Sequence, residues 1–124
     1  MIYSVGLDIV DITRVNRDIR RFGNRFVERI LGEMEIPIFN ARVDKEAFLA
    51  GRWSAKEAVI KGLAPFLDKR PQFRVLQVVN DSTGQPKLIL PPNIQKKLGK
   101  ARCLLSLTHE KTYAAAVAIF VEEQ

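Results

Sequence analysis

The segment between Asp44 and Pro65 constrains the fold most, because it carries the longest helical pattern in the chain. Asp44 is of a type that caps helices at the first turn, and Pro65 disfavours helical geometry in the residue before it. The helix is therefore predicted to end by Leu63 or Ala64. Small residues would let another element approach its backbone closely; these are Ala50, Ala55 and Ala58. We expect one long central helix to which the other elements attach.

The chain before this helix predicts a strand followed by a helix. Residues 2–10 have the β-branched pattern of a strand. Gly6 within it indicates a bulge or the close approach of another backbone. Asp11 or Thr13 is expected to cap a helix that runs to about Arg21.

The remaining segments complete an α+β pattern. A shorter helix is predicted at residues 25–31, and Pro37 indicates a loop that extends to about Arg42. A short helix is predicted at residues 94–98. The later strands are predicted at residues 73–79, 86–90, 102–108 and 113–121. This order predicts a single domain of residues 1–124, in which a mostly antiparallel sheet packs on one long central helix.

Composition and charge limit the class of protein. The net charge of +6 favours an anionic partner, which could be nucleic acid, a phosphorylated small molecule or an acidic protein. The sequence has no apolar run of about 18 or more residues, so no membrane span is predicted. The first residues lack a signal-peptide pattern, so a cytoplasmic location is expected. Cys103 is the only cysteine and lies in an apolar run, which predicts a buried side chain rather than a nucleophile.

Arginine residues are concentrated in the first helical region; they are Arg14, Arg17, Arg20, Arg21, Arg25 and Arg29. Asp18 is the only acid of the first helix. This surface is predicted to dock an acidic partner, with an ordinary solvated face as the alternative. Phe22 and Phe26 are interpreted as core residues, which disfavours nucleic-acid binding because exposed aromatic side chains would be needed for base stacking.

Two carboxylates could carry chemistry. Asp8 lies between apolar neighbours on the first strand, where a carboxylate needs a partner. Glu57 shares one face of the central helix with Lys61, and Arg52 and Lys56 form a second polar row beside that face. Two carboxylates, together with water and phosphate oxygens, are a usual way to hold Mg²⁺. A solvated strand end and a solvated helix face with ordinary ion pairs are the alternatives.

Other familiar sites are not favoured by the residues present. His109, the only histidine, follows Thr108 near the end of a late strand, and a lone histidine in a hairpin turn is more often structural or exposed than catalytic. One histidine and one cysteine do not supply a zinc site. The chain lacks a Walker loop and a G-x-G-x-x-G motif, and no nucleophile elbow supports a catalytic triad.

Three motifs, in order and with the expected spacing, resemble those of the holo-[acyl-carrier-protein] synthases. They are V-G-L-D-I-V-D-I at residues 5–12, G-R-W-S-A-K-E-A-V-I-K at residues 51–61 and L-S-L-T-H-E-K-T-Y-A-A-A at residues 105–116. A G-x-P turn, Gly84 to Pro86, lies between the second and third motifs, as it usually does in this family. The resemblance covers nearly the full length of the chain.

The resemblance implies a 4'-phosphopantetheinyl transferase. Such enzymes move phosphopantetheine from coenzyme A to a serine of apo acyl carrier protein, release adenosine 3',5'-bisphosphate and support fatty acid biosynthesis. It implies that Asp8 and Glu57 bind Mg²⁺ and act in catalysis with Lys61, which would lie near the pyrophosphate. The serine proton would go to Glu57, or to a metal-bound water oriented by Asp8 or Glu57. The positions implied to bind coenzyme A are Arg52, Lys61, Gly84, Pro86, Thr108 and His109.

The resemblance also implies partners and an assembly. Arg14 and Arg21 would dock the acidic carrier protein, and the chain would form a homotrimer with active sites between subunits. The sequence departs from the family after Lys61, where a glycine-rich K-A-x-G-T-G stretch is replaced by residues 62–67, which retain only Gly62. This departure puts the local loop in question and leaves one alternative function, a non-catalytic basic module that binds an acidic protein or RNA.

Overall fold

A three-stranded antiparallel sheet packs against one long helix in the computed structural model, which describes residues 1–122. The helices are α1 (Ile12–Phe22), α2 (Asn24–Ile30), α3 (Ile36–Asn40), α4 (Lys45–Leu63) and α5 (Pro92–Leu98). The strands are β1 (Ile2–Asp11), β2 (Gln77–Asn80), β3 (Pro86–Ile89), β4 (Ala101–His109) and β5 (Tyr113–Glu122). The predicted α+β fold is confirmed, with α4 as the central helix. The last two residues of the predicted domain lie outside the described part of the chain.

The strands form two sheets within residues 1–122. The larger sheet has the order β1-β5-β4, and both of its pairs are antiparallel. Strands β2 and β3 form a separate hairpin around the predicted turn at residues 81–84. No helix in the described part of the chain is long and apolar enough to cross a membrane. The cytoplasmic location stays a prediction.

Two of the predicted elements are wrong. Residues 36–40 form α3 rather than a loop, and Pro37 is tolerated there because the first helical positions need no backbone N–H donor. Residues 73–79 form a 3₁₀ turn, Phe73–Val75, before strand β2. The Phe73 carbonyl accepts a hydrogen bond from the buried Lys56 amino group at 3.0 Å, so this backbone is held by a side chain instead of a neighbouring strand.

The core lies where small residues let α4 approach the sheet. A Cβ atom on Gly6 would lie 1.8 Å from the Ala58 carbonyl oxygen, so Gly6 marks a close backbone approach and not a bulge. The partner of Gly6 on β5 is Ala118, in regular register. Ala114 and Ala116 on β5 are buried in two neighbouring core clusters, whereas Ala115 lies on the opposite face of the strand and is only half-buried.

Candidate functional site

Five residues predicted to bind coenzyme A line one pocket beside α4, although they lie far apart in the sequence. They are Arg52, Gly84, Pro86, Thr108 and His109. The pocket has a volume of about 260 Å³. It is built by the N-terminal half of α4, the end of β4 and the β2–β3 turn, in which Gly84 adopts a positive φ of 86°. The fold therefore brings the second motif, the G-x-P turn and the third motif together.

Arg52 is the most unusual side chain in this pocket. Its side chain is only 8% exposed, and its Nε atom is buried without a hydrogen-bond partner among the described residues. The nearest carboxylate oxygen, on Glu35, lies 3.9 Å from Nε, which is too far for a hydrogen bond. Burial lowers the pKa of Arg52, and Glu35 partly opposes this effect. A buried guanidinium without a bonded partner is a strong site for an anion.

The pocket also contains residues that the sequence did not indicate, including Arg42, Phe48 and Asn80. Asp44 begins α4 as predicted, but its side chain makes no capping hydrogen bond. Instead it accepts two hydrogen bonds from Arg42, at 2.7 and 2.8 Å. This pairing lowers the pKa of the Asp44 carboxyl. The excess of arginine in the first helical region predicts a docking surface. It does not indicate that Arg42 lines this pocket.

A second group, predicted to be catalytic, forms beside β1. The Lys61 amino group donates to the Leu7 carbonyl at 2.8 Å and lies 3.4 Å from an Asp8 carboxylate oxygen. Glu57 is close enough that its charge contributes to raising the pKa of Asp8. Burial is the larger cause of that raised pKa, and Lys61 opposes it. The structure thus brings Asp8, Glu57 and Lys61 together.

The protein atoms of this group supply only part of the ligand set of a magnesium ion. Within residues 1–122 no cluster of three or more acidic, histidine or cysteine side chains could hold a metal. Mg²⁺ is usually held by one or two carboxylates and completes its six ligands with water and phosphate oxygens. Asp8 is a partly buried carboxylate whose charge is disfavoured by its surroundings, so a cation beside it would be stabilising. The donor set therefore suits a metal that arrives with a phosphorylated substrate.

The loop that departs from the family also reaches this group. Helix α4 continues through Gly62, where a Cβ atom would lie 2.4 Å from the Phe120 ring. The Ser4 hydroxyl donates to the Gly62 carbonyl at 2.6 Å, which ties the end of α4 to β1. The chain then turns so that Arg70 donates to Glu57 Oε1 at 3.0 Å. Arg70, which follows the substituted stretch, consequently supplies a cation next to a predicted metal ligand.

The pocket and the acidic group lie on opposite sides of α4. An α-helix turns by about 100° per residue, so Lys61 is about half a turn away from Arg52. Asp8 belongs to β1 and His109 to β4, which are the two edges of the sheet and are separated by β5. The prediction that the Arg52 row lies beside the Glu57 face is therefore wrong. No residue of the acidic group lines the pocket.

The Arg52 row is buried because of an acid that sequence reasoning missed. Lys56 is fully buried and donates to Glu35 and to the Ile30 carbonyl, both at 2.5 Å. Glu35 is also fully buried, and it accepts hydrogen bonds from the backbone of Gly32 and Val78 at 2.9 Å. This arrangement fastens α2, the β2 strand and α4 to one another. Glu35 lies between apolar residues in the sequence, and this is the only sequence signal of its burial.

The predicted docking arginines are exposed on α1. Arg14 lies over the Trp53 ring at 5.7 Å, and Arg21 lies over Phe22 at 5.1 Å. The prediction that Phe22 is a core residue is wrong, because its side chain is 50% exposed. Next to these residues is an open cleft of about 1090 Å³. Its walls include aromatic and basic side chains: Phe22, Arg25, Phe26, Arg29, Trp53, Arg70 and Arg74.

Comparisons with known proteins agree with the sequence motifs. The model of the 4'-phosphopantetheinyl transferase superfamily matches residues 4–118. A holo-[acyl-carrier-protein] synthase of Chlamydia trachomatis serovar D is 36% identical over 117 residues, covering 94% of this chain and 98% of the relative.

Solved structures of holo-[acyl-carrier-protein] synthases have the same fold. The one from Neisseria meningitidis has a TM-score of 0.90 at 31% identity and covers 98% of this chain and 100% of its own. The one from Bacillus anthracis, in complex with CoA (3',5'-ADP), has a TM-score of 0.81 at 30% identity and covers 100% and 99%. The predicted resemblance, fold and enzyme class, a phosphopantetheinyl transferase, are confirmed. The chain belongs to the 4'-phosphopantetheinyl transferase superfamily.

Proposed function

We propose that this enzyme transfers 4'-phosphopantetheine from coenzyme A to a serine of an apo acyl carrier protein, releases adenosine 3',5'-bisphosphate and serves fatty acid biosynthesis. The observation that carries the proposal is the pocket in which a buried Arg52, whose Nε has no hydrogen-bond partner among the described residues, meets Gly84, Pro86, Thr108 and His109. A phosphate group would supply the partner that the guanidinium lacks. The names of the relatives, and the coenzyme A complex of one of them, support the same substrates.

The acidic group would carry out the transfer. The serine oxygen forms a bond to the β-phosphorus of coenzyme A, and the bond between that phosphorus and the bridging oxygen of the bisphosphate breaks. The serine proton goes to Glu57 or to a water oriented by Asp8 or Glu57. The Lys61 amino group, which lies beside Asp8, neutralises negative charge on the diphosphate. The cofactor would be Mg²⁺ held by Asp8 and Glu57, and it would supply further positive charge to the diphosphate and the leaving group.

The acidic carrier would dock on α1 through Arg14 and Arg21. No ion pair between described residues involves either side chain, so both can pair with carboxylates of a partner. Complementary charge raises the rate of encounter and orients the partner. Replacing Arg14 with Glu should raise the KM for the carrier and leave the KM for coenzyme A unchanged. Lys97→Glu on α5 is the matched charge reversal, and an equal rise in both constants for Arg14→Glu contradicts the docking role.

The active site would be completed by two subunits of a homotrimer. The pocket and the acidic group face away from each other across α4, so one coenzyme A molecule can contact both groups if they come from neighbouring chains. The sheet face away from α4 is open and apolar: Val5, Leu7 and Ile9 on β1 are 55%, 65% and 65% exposed. Apolar surface of this kind is typical of a subunit interface.

The transfer itself is tested by intact mass spectrometry. The protein is incubated with apo carrier protein, coenzyme A and Mg²⁺, and the carrier should gain the mass of one phosphopantetheine group. A carrier without its acceptor serine is the control and should gain none. Asp8→Asn and Glu57→Gln should each abolish the transfer while the circular dichroism spectrum stays that of the wild type. A folded wild-type protein that binds the carrier but modifies none would favour the binding-module alternative.

A further inference from the structure

A row of charged and aromatic groups runs along one side of α4, and its first three members line the pocket. Asp44, Phe48, Arg52 and Lys56 are spaced four residues apart, so their side chains lie above one another on the helix. Asp44 pairs with Arg42, and Lys56 pairs with Glu35. The Phe48 ring is in the middle of this row and lines the pocket.

Both pocket arginines contact the Phe48 ring. The guanidinium carbon of Arg52 lies 4.5 Å from the ring centroid, and that of Arg42 lies 5.2 Å from it. These distances are within the range of a cation–π interaction. The two guanidinium groups are also near each other, because the charge of Arg42 contributes to lowering the pKa of Arg52. Phe48 is buried, so its ring is a fixed surface for both side chains.

Arg52 has little else to hold it in place. None of the hydrogen bonds between described residues involves its side chain, and its contact with Glu35 is 3.9 Å. A free arginine side chain has several rotatable bonds and loses conformational entropy when it is ordered. The Phe48 ring restricts that freedom and leaves the guanidinium donors free for a ligand.

A carboxylate forms hydrogen bonds at each end of the row. Asp44 accepts two hydrogen bonds from Arg42 on one end. Glu35 is engaged by Lys56 and by backbone N–H groups on the other end. Arg52 is therefore the guanidinium of the pair without a hydrogen-bonded carboxylate, and it faces the pocket beside the ring that it shares with Arg42. An anion placed there would supply a partner for Arg52.

We propose that Phe48 is a positioning residue that holds Arg42 and Arg52 as a paired site for one phosphate group of the coenzyme A substrate. This inference rests on the proposed function. It adds Arg42 to the groups that contact the substrate and gives Phe48 a role beyond filling the core. Phe48 itself does not contact the reacting atoms and acts through the two arginines.

The test measures the affinity for coenzyme A by calorimetric titration, without carrier protein, so that no turnover is needed. Phe48→Leu removes the aromatic face while keeping an apolar side chain. We expect coenzyme A to bind about tenfold more weakly, which corresponds to about 1.4 kcal/mol. Phe39→Leu is the matched control, because the Phe39 ring is equally buried, lies 6.2 Å from the Phe48 ring and contacts neither arginine. This control should change the affinity less than about twofold.

A second measurement separates positioning from general loosening of the pocket. In an Arg42→Gln background, replacing Phe48 with Leu should weaken binding by less than about threefold, because one of the two positioned groups is already gone. Phe48→Met, whose flexible side chain fills similar space, replaces Phe48→Leu if that variant does not fold.

The outcomes separate this inference from the proposed function. Wild-type protein that takes up no coenzyme A overturns the proposed function. Wild-type protein that binds coenzyme A, together with a Phe48→Leu variant of equal affinity, overturns only the positioning role. An equal loss in Phe39→Leu, or an undiminished loss in the Arg42→Gln background, also overturns it.

Discussion

If active sites lie between subunits, two inactive variants should restore activity when they are mixed. Asp8→Asn removes a carboxylate from the β1 side, and Arg52→Gln removes the guanidinium from the pocket on the other side of α4. Loss of a single group that stabilises charge in a transition state typically lowers kcat by about 100-fold or more. Each variant alone should therefore be nearly inactive.

The magnitude in the mixture follows from which chain supplies each half of a site. In trimers assembled randomly from equal amounts of the two variants, a site is intact when its acidic half comes from an Arg52→Gln chain and its pocket half from an Asp8→Asn chain. Each condition holds for half of the chains, so about a quarter of the sites should be intact. The mixture should recover about a quarter of the wild-type activity.

The assay requires proof that subunits have exchanged. The two variants are unfolded together and refolded, native mass spectrometry counts the mixed trimers, and carrier modification is followed by intact mass. A chain carrying both substitutions, mixed with wild-type chains, is the control. It should leave about a quarter of the all-wild-type activity if sites are shared, and about half if each chain holds a complete site.

Two results would refute the reasoning. Verified mixed trimers with no more activity than the separate variants would show that each chain holds both halves of its own site. A protein that remains monomeric during turnover would exclude shared sites altogether. In either case the arrangement of the pocket and the acidic group on opposite sides of α4 would need another explanation, such as movement of the β2–β3 hairpin.

Three further predictions concern stability and reactivity. Gly6→Ala should destabilise the fold by about 3 kcal/mol or prevent folding in denaturant titrations, because its Cβ would overlap the Ala58 carbonyl, whereas Gly51→Ala, with its nearest contact at 3.8 Å, should be neutral or stabilising. Burial raises the pKa of the Cys103 thiol to about 12, so iodoacetamide at pH 8 should modify the native protein roughly a thousandfold more slowly than the unfolded protein; equal rates would contradict its burial. Burial raises the pKa of Asp8, so its contribution to stability is present at low pH and is lost as the pH rises through that pKa; Asp8→Asn should therefore gain stability relative to the wild type as the pH rises above about 4, and a difference that does not change with pH would contradict the raised pKa.

The sequence predicted the long elements well because their signals are local. The strand at β1, the long helix α4 and the two last strands have the periodicity, caps and breakers that each element needs. The first helix begins at Asp11, one of the two caps considered, because the Asp11 side chain accepts a hydrogen bond from the Thr13 backbone. Segment 73–79 was predicted wrongly because its backbone is held by the distant Lys56, whereas segment 36–40 was predicted wrongly because Pro37 is tolerated in the first turn of a helix.

The motifs selected residues that the structure brings together in two groups, but they did not give the spatial relation of those groups. Asp8, Glu57 and Lys61 are expected to form one group, and the other residues predicted to bind coenzyme A are expected to form a binding site. The structure forms both groups. Their placement on opposite sides of α4 follows partly from the nine-residue spacing of Arg52 and Lys61, which the sequence gives, and partly from the positions of β1 and β4 at the two edges of the sheet, which only the structure shows.

What the sequence by itself determined was therefore the family, the long elements and the residue types of the site, since these follow from local pattern and from motifs read in order. Only the tertiary structure decided which polar side chains are buried. Glu35, 21 residues from Lys56 along the chain, meets Lys56 in the core and leaves Arg52 facing the pocket without a hydrogen bond. The physical reason is that desolvation and ion pairing depend on distances between groups that only folding brings together.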